Sequence, residues 1–480
     1  MTATATIRDR YGLAMTTTSA AAAEHYVEGV DIFLEQGYGT EQLFQQAIDA
    51  DEGFALPHAG ISMLQMLRGA PAEAKASVAK AKKLVSSATR REQGHVEGIS
   101  LFINGHGPQS LAVTLEHLDE FPRDAVMMRV ANRLYLLGCS GAGVQNFPDE
   151  LYAMLQKLES NYGDDWAFLG QYAFAHHETG RLDKALSLAE RSLADRPTSG
   201  HASHSVAHVY FEKGNAVDGG DFLGNWLKGY DSRAPFNIHL SWHQALFELA
   251  QGKYSDAVKI YEDVIRPTVV EKSANSLMDS SSLMWRLKVY GGCGTPFPPQ
   301  EIAEQASPAA TTPGPAFRDA HAALAFAASG DEERLSGVKT RLRDLAGQGD
   351  ALAKEVTLPL VKGISAFADD RYEDAARYLG PVFPQLARIG GSHAQREVFE
   401  DTLLESYIRA EQYDNAEDLL RERLNRRASV RDSYWLARTK ASSGEVETAK
   451  NTLKMVAQEW QNADTESPEI RALNSLVNAG

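Results

Sequence analysis

The chain has 480 residues, 43% of them hydrophobic and 23% charged, the composition of a soluble protein with room for a large core or several domains. Its net charge of −16 argues against nucleic-acid recognition, which depends on Lys and Arg neutralising phosphates, and no basic cluster offsets it. Two distant cysteines, Cys139 and Cys293, exclude a disulfide framework and a thiolate zinc site.

From the N-terminus, residues 1–18 read as a flexible arm. The opening MTATATIRDRYGLAMTTTSAAAAEHY lacks the apolar core of a signal peptide, and no apolar run reaches the length of about eighteen residues that a bilayer asks for, so a cytoplasmic protein with no membrane contact is expected. Apolar residues then recur at helical spacing through residues 19–290, and strand-like alternation is nearly absent. GTEQLFQQAIDAD and APAEAKASVAKAKKLV read as the second helices of hairpins.

The repeat is clearest from Gly180. GRLDKALSLAERSLADRP (Gly180–Pro197) carries a turn glycine, the small Ala185 five residues on, and a closing proline. Gly214 and Gly219 follow 34 residues after that pair, and Gly252 and Ala257 a further 38 on. This is the tetratricopeptide period, in which the glycine ends helix A and the small residue lets helix B approach. Residues 291–315, rich in Gly, Pro and Thr, read as a connection or bend. Residues 316–480 continue with the weaker echoes DRYEDAARYL (Asp370–Leu379), EQYDNAEDLL (Glu411–Leu420) and SGEVETAKNTL (Ser443–Leu453), and end in helices that cap the array or pair with a second copy as a homodimer. The expected fold is all-α, a tetratricopeptide-like helical-hairpin superhelix (an α-solenoid) curled around a central polar cavity.

Five of the fourteen histidines fall between Gly200 and Gln244. His204 and His208 form an i, i+4 pair, as do His239 and His243, and such pairs share one helix face. Counted from the turn glycines, His201, His204, His208, His239 and His243 fall at groove-facing helix A positions. Later helix A segments place further polar groups at inward positions: Asp279, Ser281 and Arg286, then Asp319 and His321, then His393, Gln395 and Arg396. Trp242 and Trp285 could stack on an aromatic ligand, although core packing is the commoner fate of a helical Trp.

Three kinds of chemistry suit this set. The imidazoles of His204, His208, His239 and His243 could hold a divalent metal such as zinc, iron or manganese, with Asp279 or Asp319 as a further ligand or orienting partner. Without a metal, His208, His243 and Asp319 could act as acid–base groups, with His204, His239 and His321 beside them and Arg286 or Arg396 anchoring a small anionic substrate, as in a hydrolase or lyase. The alternative is a non-catalytic scaffold for a peptide or protein partner, the usual role of tetratricopeptide arrays. His176-His177-Glu178 is not a zincin motif, because Arg181 stands where its second His would be, and Gly138-Cys139-Ser140-Gly141-Ala142 reads as a helix-ending turn.

The strings HSVAHVYFEKG, HLSWHQALFELAQGKYSDAVKIYEDVI, DSSSLMWRL, DAH and GGSHAQREVF, in that order, resemble the tetratricopeptide repeat protein 38 family. RYGLAMTTTSAAAAEHY and TRREQGH (Thr89–His95) match its N-terminal pattern, so the resemblance runs from about Asp9 to about Leu420. Members typically carry His-Asn-x-Trp-His where this chain has His239-Leu240-Ser241-Trp242-His243, which keeps both histidines and the Trp and lacks the Asn. The resemblance implies a closed helical-repeat fold with these polar residues inside.

Overall fold

The computed structural model describes residues 6–291 and 298–478, the side chains of 474–478 excepted. Helical hairpins make up the chain, and the one β feature among the described residues is an isolated bridge between Arg8 and Ala14.

Turn chemistry builds the hairpins as the repeat predicts. Helices Trp166–Glu178, Gly200–Glu212 and Phe236–Ala250 run into Gly180, Gly214 and Gly252, at φ 77°, 70° and 74°. Only glycine takes that left-handed conformation without steric cost. The following helices approach closely: Ala185 and Ala257 are fully buried, and a Cβ at Gly219 would stand 2.5 Å from the Phe247 ring. In two of the weaker echoes the same left-handed turn is taken by Asp370 (φ 59°) and Glu411 (φ 57°). The geometry persists there while the glycine signature is gone.

The chain divides into two compact units, residues 1–206 with 229–237, and residues 207–228 with 238–480. Helix Gly200–Glu212 therefore gives its first turns to one unit and its last to the other.

In the first unit, Tyr26, Phe44, Phe54, Met127 and Leu134 are among the buried core residues. Asp124 caps helix Ala125–Leu136 by accepting from Met127 N at 3.3 Å. Its other oxygen accepts from Arg91 Nε at 2.7 Å and lies 3.0 Å from His95 Nδ1 and from His117 Nε2. The flexible arm expected for residues 1–18 is held from residue 6 onward. Tyr11 and Met15 are buried, and Arg10 pairs with Asp31 and Asp165 while lying over the Trp166 ring. Residues 1–5 lie outside the described residues.

In the second unit, Trp242, Trp285, Phe326, Phe399 and Trp435 are buried. Part of the expected connection, residues 292–297 with Cys293, lies outside the described residues. Beyond it, Pro299–Ala306 and Pro308–Thr311 are helical, and Ile302, Ala303, Ala306 and Ala309 bury an apolar stripe. The C-terminal helices fold back on their own unit. Trp460 Nε1 donates to Ala250 O at 2.9 Å, and Arg431 joins Glu469 and the Tyr254 hydroxyl.

Candidate functional site

The polar residues of the second unit gather where helix Phe236–Ala250 meets the end of Gly200–Glu212 and the start of Leu277–Val289. His208 and His243 are buried, with ring centroids 4.5 Å apart and edge-to-face. His239 lies 4.8 Å from His243 and stacks on Trp242 at 5.3 Å. Its Nδ1 is 3.0 and 3.1 Å from the two oxygens of buried Asp279, a bond that fixes the ring's orientation and tautomer. The His239 side chain keeps 16% of its surface in contact with solvent, against 4% for Asp279. Burial pushes His208 down to about 3, against the pull of Glu212, so its imidazole is neutral near pH 7. Three imidazoles, one oriented by a carboxylate, can donate and accept protons, and His208 and His243 offer ring nitrogens within 4.8 Å of each other that could bind a divalent cation.

His201 and His204 belong to the first unit. His204 stacks on Phe174 at 5.8 Å and meets Phe236 edge-on at 5.1 Å. His201 lies 3.3 Å from Arg129.

Beside the imidazole group is a second cluster that the sequence showed only in part. His393 Nδ1 is 2.7 Å from Glu212 and its Nε2 is 3.5 Å from Glu400. Burial works against its charge, yet the two carboxylates raise it to about 9. Burial pushes Glu212 up, but His393 and Arg427 hold it at about 2; Glu400 is also pushed up by burial, yet His393 and Arg426 hold it below the usual carboxylate range. Glu397 pairs with Arg427 and Arg423, and Arg423 also meets Asp401 at 2.8 Å and Asp432 at 2.9 Å. Ligand atoms of His393, Glu397 and Glu400 lie within 4.8 Å of one another, but arginines already neutralise the carboxylates and would repel a cation. The signal for this network was Glu397, Glu400, Asp401 and Glu405 on one helix, with Arg423 and Arg427 four residues apart on the next.

Several residues expected to face a ligand are occupied in other ways. Asp319 is clamped by Arg318 at 2.9 Å and Arg341 at 2.8 Å. His321 Nδ1 donates to Phe317 O at 2.8 Å and its ring packs on Phe317 and Phe399, while burial pushes it down to about 4. The two are therefore no acid–base pair: two residues apart on a helix, they point to different faces. Ser281 Oγ donates to Leu277 O in its own helix. Arg286 lies over Trp242 and bonds Ser282 Oγ and Ala394 O. Trp285 is a core residue whose Nε1 donates to Thr402 Oγ1. Gln395 completes a capping box with Ser392, and Arg396 donates to Gly391 O. His176 packs against Tyr152 and Tyr172, and Cys139 sits in the turn Gly138–Ser140.

No family model matches the chain. Among solved structures, it is similar to a human IFIT1 dimer with m7Gppp-AAAA, at 11% identity and a TM-score of 0.38 over 95% of this chain and 98% of that one. A monomeric IFIT1 mutant with Gppp-AAAA gives 10% identity and a TM-score of 0.36 over 99% and 98%. YrrB, a TPR protein with an unusual peptide-binding site, gives 18% identity and a TM-score of 0.24 over 38% of this chain and 91% of its own. No helix among the described residues is long and apolar enough to cross a membrane.

Proposed function

We propose that the chain is a non-catalytic helical-repeat binding protein that takes a peptide or protein partner on the inner helices of its hairpins, a second copy of itself included. The observation that carries this reading is the fate of the candidate catalytic groups. Asp319, His321, Arg286, Gln395 and Arg396 are each engaged by protein groups and do not converge on one reacting position. His239, held by Asp279 and still touching solvent, is the member of the set placed to meet a partner. The ordered strings from RYGLAMTTTSAAAAEHY to GGSHAQREVF support grouping the chain with the tetratricopeptide repeat protein 38 family.

A second reading has its own observation. A carboxylate-oriented His239 with His243 and His208 at ring distance suits acid–base or metal-assisted hydrolysis or lyase chemistry on a small polar or anionic molecule. Peptide-library panning on the full chain, followed by anisotropy titration, tests the first reading. Selected peptides should bind in solution and lose affinity about tenfold or more in Asp279→Asn, roughly 1.4 kcal/mol. If no selected peptide binds in solution, the scaffold reading fails. Near-stoichiometric zinc, iron or manganese that disappears in His208→Ala/His243→Ala would move the conclusion to the second.

A further inference from the structure

The first unit holds arginines of two kinds. Arg91 is met by Asp124 at 2.7 Å and by Asp9 at 3.6 Å. Arg129 and Arg133, one turn apart on helix Ala125–Leu136, have no carboxylate partner among the described residues. Both keep some contact with solvent, yet protein surrounds them closely enough to penalise their charge. Burial, with Arg133 beside it, pushes Arg129 down to about 9, and burial lowers Arg133 as well.

Among the described residues, no carboxylate hydrogen-bonds to either guanidinium. Arg129 Nη1 lies 3.3 Å from His201 Nε2. A guanidinium only donates, so in this contact the ring nitrogen is the acceptor. Arg133 Nε is buried without a hydrogen-bond partner. Asn132, fully buried and three residues after Arg129 on the same helix face, has neither amide atom bonded. The same holds for buried Gln171 on helix Trp166–Glu178. Gln171 shares a face with Phe174, whose ring meets His201 edge-on at 6.1 Å, so it belongs to the same neighbourhood. The two charged forks and the N–H groups of the two unbonded amides are donors that suit one kind of partner, a negative group with several acceptor oxygens.

We propose that Arg129, Arg133, Asn132 and Gln171 form an anion site in the first unit that takes the carboxylate or phosphate group of a small molecule. Arg91 shows that the fold can supply a carboxylate of its own to a buried arginine; at Arg129 and Arg133 it supplies amides that orient an oxyanion and leave its charge to be brought by the ligand. The proposal does not depend on the role proposed for the imidazole group of the second unit.

The test is calorimetric titration and thermal shift of the full chain with sodium phosphate and with sodium malonate, the ionic strength fixed with chloride. At least one of them should bind saturably and raise Tm. A response to phosphate alone assigns a phosphate-bearing ligand, and a response to malonate alone a carboxylate. Arg129→Met should lose affinity at least tenfold while its ligand-free Tm rises. Arg129→Lys, which keeps the charge and loses the fork, should bind more weakly than the native chain and serves if the Met variant does not fold. The surface variant Arg233→Gln should bind as the native chain does. The proposal is overturned if neither anion shifts Tm beyond chloride, or if Arg233→Gln costs as much affinity as the Arg129 variants.

Discussion

Arg423 in the second unit and Arg129 in the first are arginines on inner helical faces with opposite electrostatic fates. Arg423 sits among Asp401, Asp432 and Glu397, and its guanidinium is held well above its ordinary range although burial opposes the charge. Arg129 is buried beside the like-charged Arg133, and it falls. The cost of burying the cation is common to both; the partner sets the sign. A helical-repeat protein can thus use one residue type as a fastener where carboxylates accompany it and as a ligand seat where they do not.

Removing the cation separates these roles. Arg423→Met removes the nearest cation from buried Asp401 and Asp432 and should destabilise the protein by about 3–5 kcal/mol, read from urea and thermal denaturation. Asp124→Asn strips Arg91 of its closer charge partner, leaving Asp9, and weakens the contacts to His95 and His117, with an expected loss of about 3 kcal/mol by the same measurements. Arg129→Met should go the other way, a gain of about 1 kcal/mol in the absence of anion, because it removes a charge that no protein group compensates. A loss of stability comparable to that of Arg423→Met would mean that Arg129 is a fastener too.

Much of this was legible in the sequence, and the boundary of legibility is physical. The spacing of Gly180, Gly214 and Gly252 with Ala185, Gly219 and Ala257 specifies backbone conformation and close approach, which are local demands, and the hairpins follow it. The pairing of His208 with His243 and His239 was also readable, since helical period and repeat register together place them. Placement on a face does not say which neighbour a polar group will meet. Asp319 found Arg341 from the next helix, and His393 found Glu212, which is 181 residues away. Residues 6–18 were read as loose for the same reason: Arg10 finds Asp165 only once the fold brings them together.

The dependence of stability on pH sharpens the comparison within one residue type. His393 has a folded pKa of about 9, above its ordinary 6.5, so it contributes stability that is complete below pH 6.5 and is lost as pH rises through 9. Glu212, at about 2 against 4.5, contributes stability that is present above pH 4.5 and is lost as pH falls through 2. His208 has its folded pKa depressed to about 3, so the unfolded chain takes up its proton first and stability falls as pH drops from 6.5 toward 3. Tm measured from pH 4 to pH 9.5 should therefore fall at both ends. His393→Gln should flatten the alkaline fall between pH 6.5 and 9, and His208→Gln should flatten the acid fall below pH 6.5. An alkaline slope that survives in His393→Gln would show that its two carboxylates do not hold the proton, and the contrast between a base held by carboxylates and one governed by burial would then rest on the arginines alone.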